Sequence, residues 1–218
     1  MLLLATMISV PGAEKIGFLL SATDRYNTAL QNIVNYAANT SQITLFIEEY
    51  EPTMRGITDA CCRLVDTGVT VVISKSTSTE SAIQADFLSP LKIPLIAVSA
   101  TDPYLPTSAR DYLLRMAPSD KYQSRAIFDL IRHFQWKHVS ILASSDSYGL
   151  HGLLELHHLM MDEAGYTVDK VLFFQASDGV VSVSNELDEL KNSLARIIVL
   201  NCGAAYGKVV LEQLIASG

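Results

Sequence analysis

Blocks of consecutive apolar residues alternate with stretches in which apolar positions recur every third or fourth residue, almost from end to end of the chain. Ile16–Leu20, Ile43–Ile47, Val69–Ile73, Pro94–Val98, Val139–Ala143, Val168–Phe174 and Ile197–Leu200 are rich in aliphatic residues, and each predicts a short buried strand. Between them, Tyr26–Ala38, Asp59–Val65, Ser78–Leu88, Lys121–Phe134, Leu150–Ala164, Asn185–Leu194 and Ala205–Ala216 carry helical spacing. Gly68 and Gly165 mark helix stops, and Pro90 ends the third helix. Strands apolar on both faces, alternating with helices, predict an α/β fold of doubly wound parallel sheets.

The connection from Ser99 to Ser119 is long and contains Pro103, Pro106 and Pro118. Such a loop is functional or marks a domain crossing. It places a boundary near Met116–Ser124, with a first Rossmann-like lobe at 15–118 and the start of a second at 119–218.

Ligands of open α/β sheets bind beyond the carboxyl ends of the strands. The residues found there are Ser21, Thr23, Asp24 and Arg25; Ser74 to Glu80; Ser99 to Asp102; Ser144 to Gly149; and Asn201 to Gly203. Their small hydroxyls suit a small polar ligand. Thr77-x-x-Glu80 is a capping box. Its helix start could hold a ligand carboxylate through Ser78 and Thr79, or be a plain cap, and Glu80 brings negative charge to the same turn. Tyr148 could lay its ring over an ammonium group, or be an amphipathic rim residue. Lys121 and Asp120 are either functional polar groups or a helix cap after Pro118.

Composition narrows the classes. A net charge of −7 argues against nucleic acid as a partner. Gly149 and Gly152 open a helix, but neither Gly-x-Gly-x-x-Gly nor a P-loop is present, so no nucleotide cofactor is expected. There is no Gly-x-Ser-x-Gly elbow, and the chain is not expected to be an enzyme. His151, His157 and His158 lack further ligands at zinc spacing and are expected to be solvated surface residues, with no metal. Cys61 and Cys62 are expected to be small core residues rather than a disulfide. The apolar start, Met1–Ala13, is either the end of a secretory signal or an irregular or strand-like beginning. No apolar run reaches the ~20 residues of a membrane helix. Asn39-Thr40-Ser41 is a glycosylation sequon, relevant to a secreted chain.

Several longer stretches carry a resemblance: Ile93-Pro94-Leu95-Ile96 with Ser99-Ala100-Thr101-Asp102-Pro103; Arg115-Met116-Ala117-Pro118-Ser119-Asp120; Ile127 to Trp136; and Val139 to Gly149. Together they resemble the ligand-binding region of metabotropic and ionotropic glutamate receptors and plant glutamate-receptor-like proteins. The resemblance spans about 15–218, strongest in the middle, and because family modules are longer it implies that the second lobe, 119–218, is incomplete. It implies a Venus-flytrap fold whose two lobes close on a small ligand, an amino acid or analogue, and pass that closure to a membrane-spanning portion. By the same resemblance Ser78 and Thr79 hold the α-carboxylate, and Ser99, Ala100 and Thr101 the carboxylate and amino groups. Asp120 and Tyr148 face the ammonium, and Arg25 lies near the position that grips a side-chain carboxylate. It further implies an ectodomain on the extracellular side, or a secreted one, and homo- or hetero-dimers through the first-lobe helices at 59–65 and 78–88.

The chain departs from the family at Glu80, where a small residue is expected, and at Tyr148-Gly149-Leu150-His151-Gly152, where Tyr-Gly-Glu-Ser-Gly is usual. It shows no counterpart of the first-lobe cysteine bridge. These departures weaken the case for glutamate itself more than for an amino-acid-like ligand. The rival expectations are an amino-terminal domain kept for assembly without ligand, a secreted amino-acid-binding protein of a transport system, and an enzyme on a Rossmann-like sheet.

Overall fold

Two parallel sheets organise the chain, and each sits in its own compact unit. The computed structural model describes residues 14–24, 26–41, 43–177 and 180–216. The apolar start and Arg25 fall outside them.

Unit 1 comprises the described residues up to Ala100 together with Leu105–Ala117. Its elements are β1 (Lys15–Ser21), α1 (Asn27–Ser41), β2 (Thr44–Tyr50), α2 (Met54–Asp66), β3 (Val71–Lys75), α3 (Ser78–Leu88), β4 (Leu95–Ala97) and β5 (Leu113–Arg115). The sheet order is β2-β1-β3-β4-β5. β1 is buried from Ile16 to Ser21, as a central strand covered on both faces must be. Leu19, Ile57, Cys61, Leu64, Val72, Ala85, Leu88 and Leu95 form the core between the sheet and the helices α2 and α3.

Helix α2 begins at Met54, five residues before the predicted start. Thr53 accepts a hydrogen bond from Gly56 N at 3.0 Å and caps the helix, a signal the apolar spacing does not carry. Cys61 faces the core, where burial pushes its thiol up to about 12. Cys62, one residue on, points the other way and is exposed, contrary to its expected place in the core. β5 lies inside the long connection, where the prolines suggest only loop.

Unit 2 comprises Thr101–Tyr104 and the residues from Pro118 onward. It contains α4 (Asp120–His133), β6 (His138–Ser144), α5 (Ser147–Met161), β7 (Thr167–Phe174), the short strands β8 (Ala176–Ser177) and β9 (Val180–Val181), α6 (Ser184–Lys191), β10 (Ile197–Asn201) and α7 (Ala204–Ala216). The order is β10-β6-β7, all parallel, and β8 and β9 pair as a small antiparallel hairpin that the sequence pattern does not predict. Successive residues of β6 face opposite sides. Val139, Ile141 and Ala143 pack with Phe128, Ile131, Leu153, Leu156 and Met160. Leu142 packs with Phe174, Val183, Leu187, Leu190 and Val210. The predicted doubly covered parallel sheet is thus present in both units. Helix α5 ends at Met161, three residues before the predicted end.

Candidate functional site

The parallel register of unit 1 brings the carboxyl ends of three strands side by side. Leu20 is aligned with Lys75, and Ser74 with Ala97. The loops that leave β1, β3 and β4 therefore meet at one edge. An open cavity of ≈ 370 Å³ lies there, lined by Ser21, Thr23 and Asp24 after β1, Lys75, Ser76, Thr77 and Glu80 around the start of α3, and Ser99 after β4.

The start of α3 is fixed by its own side chains. Thr77 accepts from Glu80 N, and Glu80 Oε2 accepts from Thr77 N at 2.8 Å, which completes the capping box. The carboxylate of Glu80 is buried, and it also lies in reach of two hydroxyl donors. Tyr50 donates to Oε2 at 3.3 Å and Ser21 to Oε1 at 3.4 Å. Burial, and next the neighbouring charge of Glu80, hold the Tyr50 phenol protonated well above the ordinary tyrosine range. Beneath the cavity a line of hydroxyls continues inward. Ser76 Oγ shares hydrogen bonds with Ser81 Oγ at 2.6 Å and Ser74 Oγ at 3.1 Å, and donates to Gln84 Oε1 at 3.3 Å. Ser99 Oγ ties the β4 loop to Ser76 O at 2.8 Å. Lys75, the cation among the described lining residues, pairs with Asp24 and lies 5.6 Å from the ring centre of Tyr26.

Of the predicted residues, Ser99 lines this cavity. Ser78 is buried and Thr79 exposed in the first turn of α3, and neither is among the lining residues. Ala100 is buried against Ala97 and Leu105. Thr101, Asp120 and Tyr148 belong to unit 2. Thr101 Oγ1 donates to Asp120 Oδ2 at 2.8 Å, and Asp120 N donates to Thr101 O at 2.9 Å, which locks the loop onto the start of α4. Ser119, not Asp120 or Lys121, is the residue that caps that helix. The Tyr148 hydroxyl exchanges hydrogen bonds with the Gln123 amide at 3.3 Å.

Unit 2 also holds a polar cluster that sequence reasoning missed. His151, expected to be solvated, places Nδ1 2.7 Å from Oδ2 of the buried Asp102. Tyr104 stands edge-on to the His151 ring, with centroids 4.9 Å apart, and Lys121 lies 5.7 Å over Tyr104. The Tyr104 hydroxyl is raised above its ordinary pKa, first by hydrogen bonding to Glu155 and then by burial. The available signal was Asp102 next to Pro103 in the long loop, but its partner lies 49 residues away and no local pattern joins them.

Gly149 and Gly152 prove to be packing positions. A Cβ on Gly149 would lie 2.1 Å from Ser144 O, and one on Gly152 would lie 2.3 Å from Asn201 Nδ2. Among the described residues no group of three or more His, Cys, Asp or Glu side chains is placed to hold a metal ion. No helix among them is long and apolar enough to cross a membrane.

The profile of the receptor family ligand-binding region matches residues 27–218. The chain belongs to that family. It is 26% identical over 150 residues to glutamate receptor 3.1 of rice, covering 67% of this chain and 16% of the rice protein. It is 42% identical over 83 residues to metabotropic glutamate receptor 4 of the rat, covering 38% of this chain and 9% of that receptor. Metabotropic glutamate receptor 6 of the rabbit is 34% identical over 101 residues, 46% of this chain and 12% of the receptor. The matched stretch is thus under a fifth of each relative's length. In this glutamate-receptor-like ligand-binding region the Ser-Ala-Thr loop is divided between the two units: Ser99 and Ala100 belong to unit 1, Thr101 to unit 2.

Proposed function

We propose that this chain is part of the extracellular ligand-binding domain of a glutamate-receptor-like membrane receptor, and that it binds a small polar molecule, an amino acid or analogue, without transforming it. The observation that carries this reading is the unit-1 cavity. It lies where open α/β sheets receive ligands, at the carboxyl ends of β1, β3 and β4. Its size falls within the ~300–1,000 Å³ usual for small-molecule sites. Its lining is hydroxyl-rich and charged, suited to a ligand with ammonium and oxygen groups. In this proposal Ser21, Thr23, Lys75, Ser76 and Ser99 receive the ligand first. Ser78, Thr79, Ala100 and Arg25, which the family resemblance assigns to ligand binding, are kept in this proposal as further contacts.

Signalling follows from closure. Thr101, Asp120 and Tyr148 of unit 2 engage the ligand only in the closed state, and that differential affinity shifts the population toward it. A membrane-spanning portion outside the chain receives the change, and dimers through unit-1 helices assemble the receptor. Titration calorimetry of the full chain against single amino acids tests the reading. Saturable heat with one ligand per chain is expected, with at least tenfold weaker binding for Lys75→Met.

A second reading, a domain kept for assembly without a ligand, is favoured by one observation. The donors nearest the start of α3 are already occupied by Glu80. No heat with any amino acid, together with a concentration-dependent dimer in sedimentation, would select it.

A further inference from the structure

Taking the unit-1 cavity as the ligand site, the surroundings of Glu80 speak to the charge its ligand carries. We infer that Glu80 supplies, from within the chain, the carboxylate that the donors at this edge are arranged to hold, so that the cavity takes a small polar ligand without net negative charge and rejects acidic ones.

Three donors converge on Glu80: Thr77 N, the Tyr50 hydroxyl and the Ser21 hydroxyl. They come from the start of α3, from β2 and from β1, so the arrangement belongs to the fold and not to one helix end. The three donors engage both oxygens of this buried carboxylate, and a carboxylate charge acts at short range in a setting of reduced dielectric. Among the described residues that line the cavity, Asp24 and Glu80 are acidic and Lys75 alone is basic. Lys75 is engaged by Asp24 and stands near the Tyr26 ring. A ligand with one carboxylate and one ammonium brings no net charge to this lining. A second ligand carboxylate would meet Glu80, and among the described lining residues Lys75, already engaged by Asp24, is the cation that could offset it. A second ammonium would instead be attracted. The ligand class is therefore an uncharged or basic amino acid, or an amine of similar size.

The test is calorimetry on the full chain with glutamine, glutamate and lysine. Glutamine and glutamate have nearly the same shape and differ by one charge. A like charge a few ångström away in a partly open site is worth about tenfold in affinity or more. Glutamine is expected to bind at least tenfold tighter than glutamate, with lysine at least equal to glutamine. Glu80→Gln keeps the shape of the side chain and removes its charge, and is expected to narrow the glutamine-to-glutamate ratio by about the same factor. Glutamate binding as tightly as glutamine to the unaltered chain overturns the inference and leaves the ligand-site reading intact. That comparison needs no variant, so it decides the matter even where Glu80→Gln does not fold. An unchanged ratio in a folded Glu80→Gln also overturns it. Absence of heat for all three ligands overturns the ligand-site reading, and this inference with it.

Discussion

Tyr50 ends β2 at the position where its hydroxyl meets Glu80, and the Glu80 charge bears on the ionisation of the phenol. Burial first, and the Glu80 charge next, keep the phenol neutral far into the alkaline range. The folded-state pKa is raised, so this contribution to stability is fully present below the ordinary tyrosine value of about 10. It is lost as pH rises from there through the folded value. Tyr50→Phe removes one donor from a buried carboxylate and leaves the ring in the core. It is expected to cost about 1–3 kcal/mol in urea unfolding at pH 7. The same variant is expected to unfold with a weaker pH dependence above about pH 10 than the parent chain. An equal alkaline loss in both would show that the Tyr50 phenol is not held neutral in the folded chain as described.

At the scale of elements, glycine spacing carries more than helix propensity. Gly149 and Gly152 sit in the first turns of α5, on the side where the helix start meets the ends of β6 and β10. Asn201, the last residue of β10, donates its amide to Gly149 O at 2.9 Å. A methyl group at Gly152 would displace that amide from contact. Gly152→Ala is therefore expected to destabilise unit 2 by about 1–3 kcal/mol, although alanine favours helix. Thermal unfolding followed by the fluorescence of Trp136, which lies in unit 2, checks this, and a gain in stability would contradict the packing described.

The periodic part of this architecture is legible in the sequence. Both parallel sheets and the helices α2 to α7 stand close to where apolar spacing puts them, because that spacing is set by burial on sheet faces; α1 also forms where predicted, but none of its residues is buried. The features it misses depend on single contacts. The early start of α2 rests on the Thr53 hydroxyl, and β5 and the β8–β9 hairpin are too short to show a period. In the site, the carboxyl-end rule leads to the loops that line the cavity, Ser74 to Glu80 included; the helix-start argument and the family resemblance then favour Ser78 and Thr79 over Ser76, Thr77 and Glu80. Which face of a first helical turn looks into a cavity depends on a rotation about the helix axis that the Thr77 cap fixes only in three dimensions. Asp102 and His151 meet through tertiary structure alone.

For the molecule as a whole, two units with separate cores are joined by chain that passes from one to the other at Ala100–Thr101, Tyr104–Leu105 and Ala117–Pro118. The segment 101–104 is held in unit 2 by Thr101 with Asp120 and by Asp102 with His151. Membership of the receptor ligand-binding family and the unit-1 cavity together point to ligand capture. Hydrogen exchange of the full chain, with and without the tightest-binding amino acid, tests it most directly. Protection gained on binding is expected to be greatest in unit 1 at residues 21–24, 75–80 and 99–100. Protection absent there, or gained instead around the smaller hollow lined by Ser184, Leu187, Asp188 and Gln213, would contradict it.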